Sequence, residues 1–142
     1  MKLLNHILAN YYGLKEREGS DFSPTLLRWI KVYFPEQKDD GVIPYCSLAL
    51  KECAKEIGLN YSTVNPAAIS WLSLPNKIDL EYAEMGDVVI ISRTGGNHVG
   101  LLVRHSKVFN SIYLLGFNQS NECNIQKYSV KLIKGIRRLN ED

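Results

Sequence analysis

Residues 86–105 read Gly-Asp-Val-Val-Ile-Ile-Ser-Arg-Thr-Gly-Gly-Asn-His-Val-Gly-Leu-Leu-Val-Arg-His. Gly86-Asp87 is a turn, and Val88 to Ser92 is a β-branched run that predicts a strand. Thr94-Gly95-Gly96-Asn97 is hairpin turn chemistry, and Val99 to His105 is the returning strand. Downstream, Ile112 to Phe117 predicts a third strand. Ile125 to Val130 and Leu132 to Arg138 bring the set to about five. Consecutive strands with short links favour an antiparallel meander.

Upstream of Pro75 the period is helical. Leu3, Leu4, Ile7, Leu8 and Tyr11 predict an amphipathic helix over residues 1–12, ending at Gly13. Ser23-Pro24 opens a second helix as N-cap and first residue, with Leu26, Leu27, Ile30 and Phe34 as its apolar members. Lys38 to Gly41 reads as a polar loop. In the third helix Cys46, Ala49, Leu50, Cys53, Ala54 and Ile57 form one stripe, and Lys51, Glu52, Lys55 and Glu56 take the wet face. Gly58 is its stop, and a short helical piece over Pro66 to Leu72 follows. Helices first and strands after is the α+β pattern, with the helices on one face of the sheet.

The chain has 142 residues, 45% hydrophobic and 23% charged, with a net charge of +2. That composition predicts one domain, 1–142, and excludes general disorder. No apolar run approaches the roughly 20 residues of a membrane-spanning helix. Seventeen Lys and Arg against fifteen Asp and Glu leave no footprint for nucleic acid. The closing basic residues Lys131, Lys134, Arg137 and Arg138 read first as a solvated strand face, and second as a contact for an anionic polymer. Met1-Lys2-Leu3-Leu4 begins like a signal peptide, but Asn5 and His6 interrupt it and no cleavage site follows. Synthesis in the cytoplasm without such a signal is therefore expected.

Three cysteines, Cys46, Cys53 and Cys123, suit neither a zinc site nor a disulfide framework and read as buried or reactive thiols. Cys46 stands out because it starts the third helix. Unpaired backbone N–H groups and the positive end of the helix dipole meet there, which lowers a thiol pKa and can hold an oxyanion. Cys53, mid-stripe, reads as core. His98 starts a strand behind a Gly-Gly-Asn turn, with Gly100 on its face leaving room for the third helix to bring Cys46 close. His105 is predicted on the opposite face, and His6 on the surface of the first helix. A Cys–His pair needs a third group to orient the ring. Asn118 shares a face with Ile112, Leu114 and Gly116. Gln119 shares the other with Tyr113, Leu115 and Phe117, so only one of the two amides can face the site. A resting thiolate–imidazolium pair and a bell-shaped pH profile follow, and no cofactor is implied.

Helix-start Cys, strand-start His and strand-end amide, in that order on a helix-then-sheet scaffold, match papain-like hydrolases. The sequence resembles the NlpC/P60 superfamily of cell-wall cysteine peptidases, close to its CHAP-like amidase relatives among small phage or bacterial lysins. The matching stretches are Tyr12-Gly13-Leu14-Lys15-Glu16 with Gly19-Ser20, Pro44-Tyr45-Cys46-Ser47, Ser70-Trp71-Leu72, Gly86-Asp87-Val88-Val89, Gly95 to Gly100, and Gly116 to Asn121. The resemblance implies a papain-like fold and hydrolysis of a peptide or amide bond in peptidoglycan. By position it makes Cys46 the nucleophile, His98 the base and Asn118 the orienting group. Tyr45 and Ser47 stand where that subgroup usually has Trp and Ala. Cys before His argues against the permuted acyltransferase branch. The resemblance implies a bare, monomeric catalytic domain acting in the periplasm or cell wall, as a phage lysin or an antibacterial effector with a cognate immunity protein. The alternatives are an inactive wall-binding relative and a cysteine hydrolase or transferase acting on proteins.

Overall fold

The computed structural model describes residues 1–15, 23–36 and 45–141. The polar loop Lys38 to Gly41, Glu16, Gly19, Ser20 and Pro44 lie outside the described residues. Three helices come first: α1 (Lys2–Asn10), α2 (Pro24–Tyr33) and α3 (Cys46–Glu56). A 3-10 helix, Ala68–Ser73, leads into five strands: β1 (Val88–Arg93), β2 (Gly96–Ser106), β3 (Ser111–Gln119), β4 (Glu122–Ser129) and β5 (Ile133–Arg137). This is the α+β architecture expected.

Local chemistry explains the helix starts and stops. The Ser23 hydroxyl accepts the Leu26 N–H at 3.3 Å, with Pro24 in the first turn. The chain leaves α3 at Gly58 with φ +81°, a left-handed conformation that glycine adopts without strain. In α2 the apolar face is wider than the stripe predicted. Trp29 is buried edge-on to Phe117 with ring centroids 5.6 Å apart, whereas Phe34 ends the helix largely exposed. Glu52 also departs from expectation. It is buried rather than wet, accepting the Tyr33 hydroxyl at 3.0 Å and pairing with Lys55 at 2.7 Å. Burial of this carboxylate is tolerated because it is paired with a cation and hydrogen-bonded to a hydroxyl.

The strand order is β4-β3-β2-β1-β5. The first four strands are the meander expected. The fifth departs from it, crossing back to pair antiparallel with the outer edge of β1, with Val89 opposite Ile136. That crossing covers an edge which would otherwise expose unpaired N–H and C=O groups. It also puts the closing arginines to internal use. The Arg137 guanidinium donates to the Leu72 and Leu74 carbonyls, and Arg138 grips buried Asp87 through Nε at 3.0 Å and Nη2 at 2.9 Å. Of the four basic residues read as a solvated face, Lys131 and Lys134 are exposed and these two arginines are clamps.

Both faces of the sheet are covered. Val88, Ile90, Val99, Leu101, Leu115 and Phe117 pack under the helices. Val89, Ile91, Leu102, Ile112, Leu114 and Ile136 form a second core under Ile78, Leu80, Tyr128 and Val130. Two-sided burial accounts for the continuous apolar run Val88-Val89-Ile90-Ile91, which lacks strand alternation. No described helix is long and apolar enough to cross a membrane.

Asp87 accepts the Glu84 N–H at 2.8 Å as well as both Arg138 bonds. Asp87→Ala removes two of that guanidinium's hydrogen bonds, leaving it the Tyr82 carbonyl and Glu84, and is expected to cost about 2–3 kcal/mol, read as a lower urea midpoint with an unchanged m-value.

Candidate active site

Cys46 is the first residue of α3, and its side chain is buried against the sheet. The strand opposite explains what it meets. The Leu102 N–H donates to Asp87 O on the β1 side, so the N–H groups of Leu101 and Val99 point toward β3. The β2–β3 ladder runs from Ser106 opposite Ser111 to Leu101 opposite Leu115. Beyond that pair the Val99 N–H turns to the Cys46 thiol instead. The helix start thus occupies the place where β3 parts from β2.

His98, the residue before Val99, lies fully buried. It is cross-strand from Ile91 and so projects from the face opposite the helices, with Ile91 and Leu102. The role predicted for Gly100 changes accordingly. A Cβ there would lie 3.0 Å from Leu115 O and 3.1 Å from the Leu114 Cβ, so Gly100 admits strand β3 and not helix α3.

The amide on His98 is Gln119, not Asn118. His98 Nε2 and Gln119 Oε1 are 2.9 Å apart. Strict alternation would put Asn118 on the face of Gly116 and Gln119 on the other. Asn118 instead takes φ +60°, and the β3–β4 register shifts between Gly116 and Gln119. This bulge turns Gln119 onto the imidazole side. Asn118 contributes its backbone carbonyl, which accepts Arg93 Nη2 at 2.7 Å. Gly116 makes the space, since a Cβ there would lie 2.8 Å from Gln119 Oε1 and 3.2 Å from His98 Nε2.

The proton positions follow from the bonding. Gln119 Nε2 donates to Leu114 O at 3.1 Å, Asn124 O at 2.8 Å and Asn124 Oδ1 at 3.0 Å. Its oxygen therefore faces the ring and also accepts the Tyr128 hydroxyl at 3.1 Å. An acceptor at Nε2 means that Nε2 carries the proton and Nδ1 the lone pair. Nδ1 in turn accepts Arg93 Nη1 at 2.9 Å. Arg93, Tyr128 and Gly116 did not emerge from the sequence as site residues. Arg93 was within reach of it, because two residues past Ile91 it falls on the face of His98.

Burial dominates the electrostatics. It lowers His98 from 6.5 to about 4, with the Gln119 bond opposing and the Arg93 charge adding to the drop. Burial also raises Cys46, against the Val99 N–H, the Arg93 charge and the Ser47 and Cys46 N–H groups, which lower it. Thiol and imidazole both rest neutral, not as the ion pair expected from a helix-start cysteine. Cys53 and Cys123 are buried free thiols, and burial raises both.

A groove of about 330 Å³ reaches Cys46, walled by Phe34, Pro66, Ala67, Ala68, Ile69 and Asn97. Ser47 holds that wall. Its hydroxyl donates to Asn65 O at 2.5 Å and accepts Trp71 Nε1–H at 2.9 Å. Asn97 Oδ1 is buried and accepts no hydrogen bond among the described residues.

Two outcomes test this geometry. The His98 imidazole is expected by NMR to stay neutral from pH 8 to 5 and to titrate near about 4. The unfolded chain takes that proton near 6.5, so His98's contribution to stability is complete above this value and declines as pH falls toward 4. Gly116→Ala is expected to separate His98 from Gln119 and to abolish the exchange-protected Nε2–H signal.

The sequence matches no family model and no curated protein. Among solved structures, the chain is similar to a lipoprotein-like protein of the NLP/P60 family from Staphylococcus aureus subsp. aureus Mu50. The identity is 18% and the TM-score 0.58, over 96% of this chain. This chain spans 39% of that protein's length. The likeness establishes the fold: three helices and a five-stranded antiparallel sheet arranged as in an NLP/P60 protein.

Proposed function

We propose that this domain is a thiol hydrolase of the NlpC/P60 type that cleaves a peptide or amide bond in peptidoglycan, with Cys46 as nucleophile, His98 as base and Gln119 as the group that orients the ring. One observation carries the reading: the Gln119 amide fixes the proton on His98 Nε2, and the following residue, Val99, turns its N–H to the Cys46 thiol. Helix-start thiol, tautomer-fixed imidazole and groove belong to one site.

The steps follow from that arrangement. Once the Arg93 donor has left it, His98 Nδ1 takes the Cys46 proton as sulfur attacks the scissile carbonyl carbon. The oxyanion that forms lies among the N–H groups around the thiol, those of Cys46, Ser47 and Val99. As the C–N bond breaks, the Nδ1 proton passes to the leaving amine, leaving a thioester. Water, deprotonated at Nδ1, attacks the thioester, and the proton returns to the departing sulfur. Throughout, Gln119 Oε1 accepts from Nε2 and holds the ring in place. Asn97 Oδ1, on the groove wall, is an acceptor for a substrate N–H.

Neutral partners change the pH dependence expected from an ion pair. Activity falls with protonation of His98, and no descending limb arises from loss of an imidazolium proton. The expected profile rises through about pH 4 and stays level across neutrality. A narrow bell centred near neutrality would point instead to a resting thiolate–imidazolium pair.

Peptidoglycan lies outside the cytoplasm, so this reading places the work of the domain in the periplasm or cell wall, as a lysin or a delivered effector. The deciding experiment digests purified peptidoglycan with wild type and Cys46→Ala, and identifies fragments by mass spectrometry. Cys46-dependent products are expected. Intact stem peptides name an amidase and truncated ones an endopeptidase, while no products from several wall types would overturn the substrate assignment. Gln119→Ala is expected to lower kcat about a hundredfold. Asn118→Gly, which suits φ +60°, is expected to stay within a few-fold of wild type.

A further inference from the structure

Arg93 is bound where a mechanistic residue has to act. Its Nη1 donates to His98 Nδ1 at 2.9 Å and its Nη2 to Asn118 O at 2.7 Å. Nδ1 is the one lone pair on the ring, because Nε2–H is committed to Gln119. While Arg93 stays, that lone pair cannot take the thiol proton.

The guanidinium is also poorly matched. It carries a full charge in a rigid fork suited to two carboxylate oxygens, yet its acceptors are a neutral ring nitrogen and a peptide carbonyl. Among the described residues it has no carboxylate partner. Arg93 ends β1 at the hairpin, and its residue is exposed, so the head can turn outward without unpacking core. Its charge also acts on the Cys46 thiol and the Tyr128 hydroxyl, lowering both against burial.

We propose that Arg93 is a specificity-determining latch: it holds His98 Nδ1 in the resting protein and leaves it for a carboxylate on the substrate beside the scissile amide. No covalent bond changes in this step. The ion pair forms, the Nδ1 lone pair is freed, and the thiol proton has its acceptor. Base availability is thereby coupled to an anionic substrate. The proposal rests on the hydrolase reading above and names the substrate chemistry that its site selects.

The test uses two muropeptides that differ only in whether the carboxyl group beside the cleaved bond is free or amidated. Wild type is expected to prefer the free carboxylate about tenfold or more in kcat/KM. In Arg93→Gln that ratio should fall about tenfold, with the amidated substrate cleaved faster than by wild type because Nδ1 is released. Arg93→Lys keeps the charge without the fork and should lose most of the preference. An unchanged ratio in both variants, or an equal loss on both substrates, overturns the latch. A separate readout covers failure of the peptidoglycan reading. If wild type cleaves neither muropeptide, that reading fails, and the latch is judged on the ¹⁵N signal of His98 Nδ1. A move toward the free-lone-pair position in Arg93→Gln supports it, and an unmoved signal overturns it.

Discussion

The Gln119 side-chain amide donates to Leu114 O, Asn124 O and Asn124 Oδ1, which leaves its oxygen a single direction to face. That oxygen meets His98 Nε2. From this bond follow the tautomer of the ring, the lone pair on Nδ1 and the atom on which Arg93 rests. It depends in turn on the left-handed turn at Asn118, which brings Gln119 across the strand, and on the missing Cβ of Gly116. A buried polar cluster of this kind holds one geometry because each member is satisfied by the others.

Burial and activation oppose one another at this site. Taking Cys46 and His98 out of water favours their neutral forms. Helix-start N–H groups and the Arg93 charge act the other way on the thiol, and desolvation outweighs them. The thiol and the imidazole therefore both rest uncharged. A buried, neutral thiol is also shielded, since the thiolate is the form that reagents and oxidants meet.

The sheet reconciles this closed site with access. Its two covered faces and the return of β5 to β1 make a rigid base. The opening lies where β3 leaves β2, and the Ser47 hydroxyl ties α3 to the groove wall through Asn65 and Trp71. Ser47, the residue after Cys46, thus holds the groove wall through its hydroxyl.

Much was legible in the residues alone. The change of period from helical to alternating around Pro75, the caps at Ser23 and Gly58 and the Gly-Gly turn before His98 specify the elements and their order, because each is a local property of a few neighbours. The α3 stripe likewise places Cys46 at a helix start. Tertiary structure decided the rest. Alternation assigns Asn118 to the face of Gly116, and only the bulge, set by pairing with β4, moves Gln119 there. The return of β5 to β1, the inward use of Arg137 and Arg138 and the burial of Glu52 depend on partners distant in sequence. So does the protonation of the site. A helix N-terminus lowers a thiol pKa through nearby backbone dipoles, whereas the opposing burial comes from the whole fold and exists only once the sheet and helices have closed around Cys46 and His98.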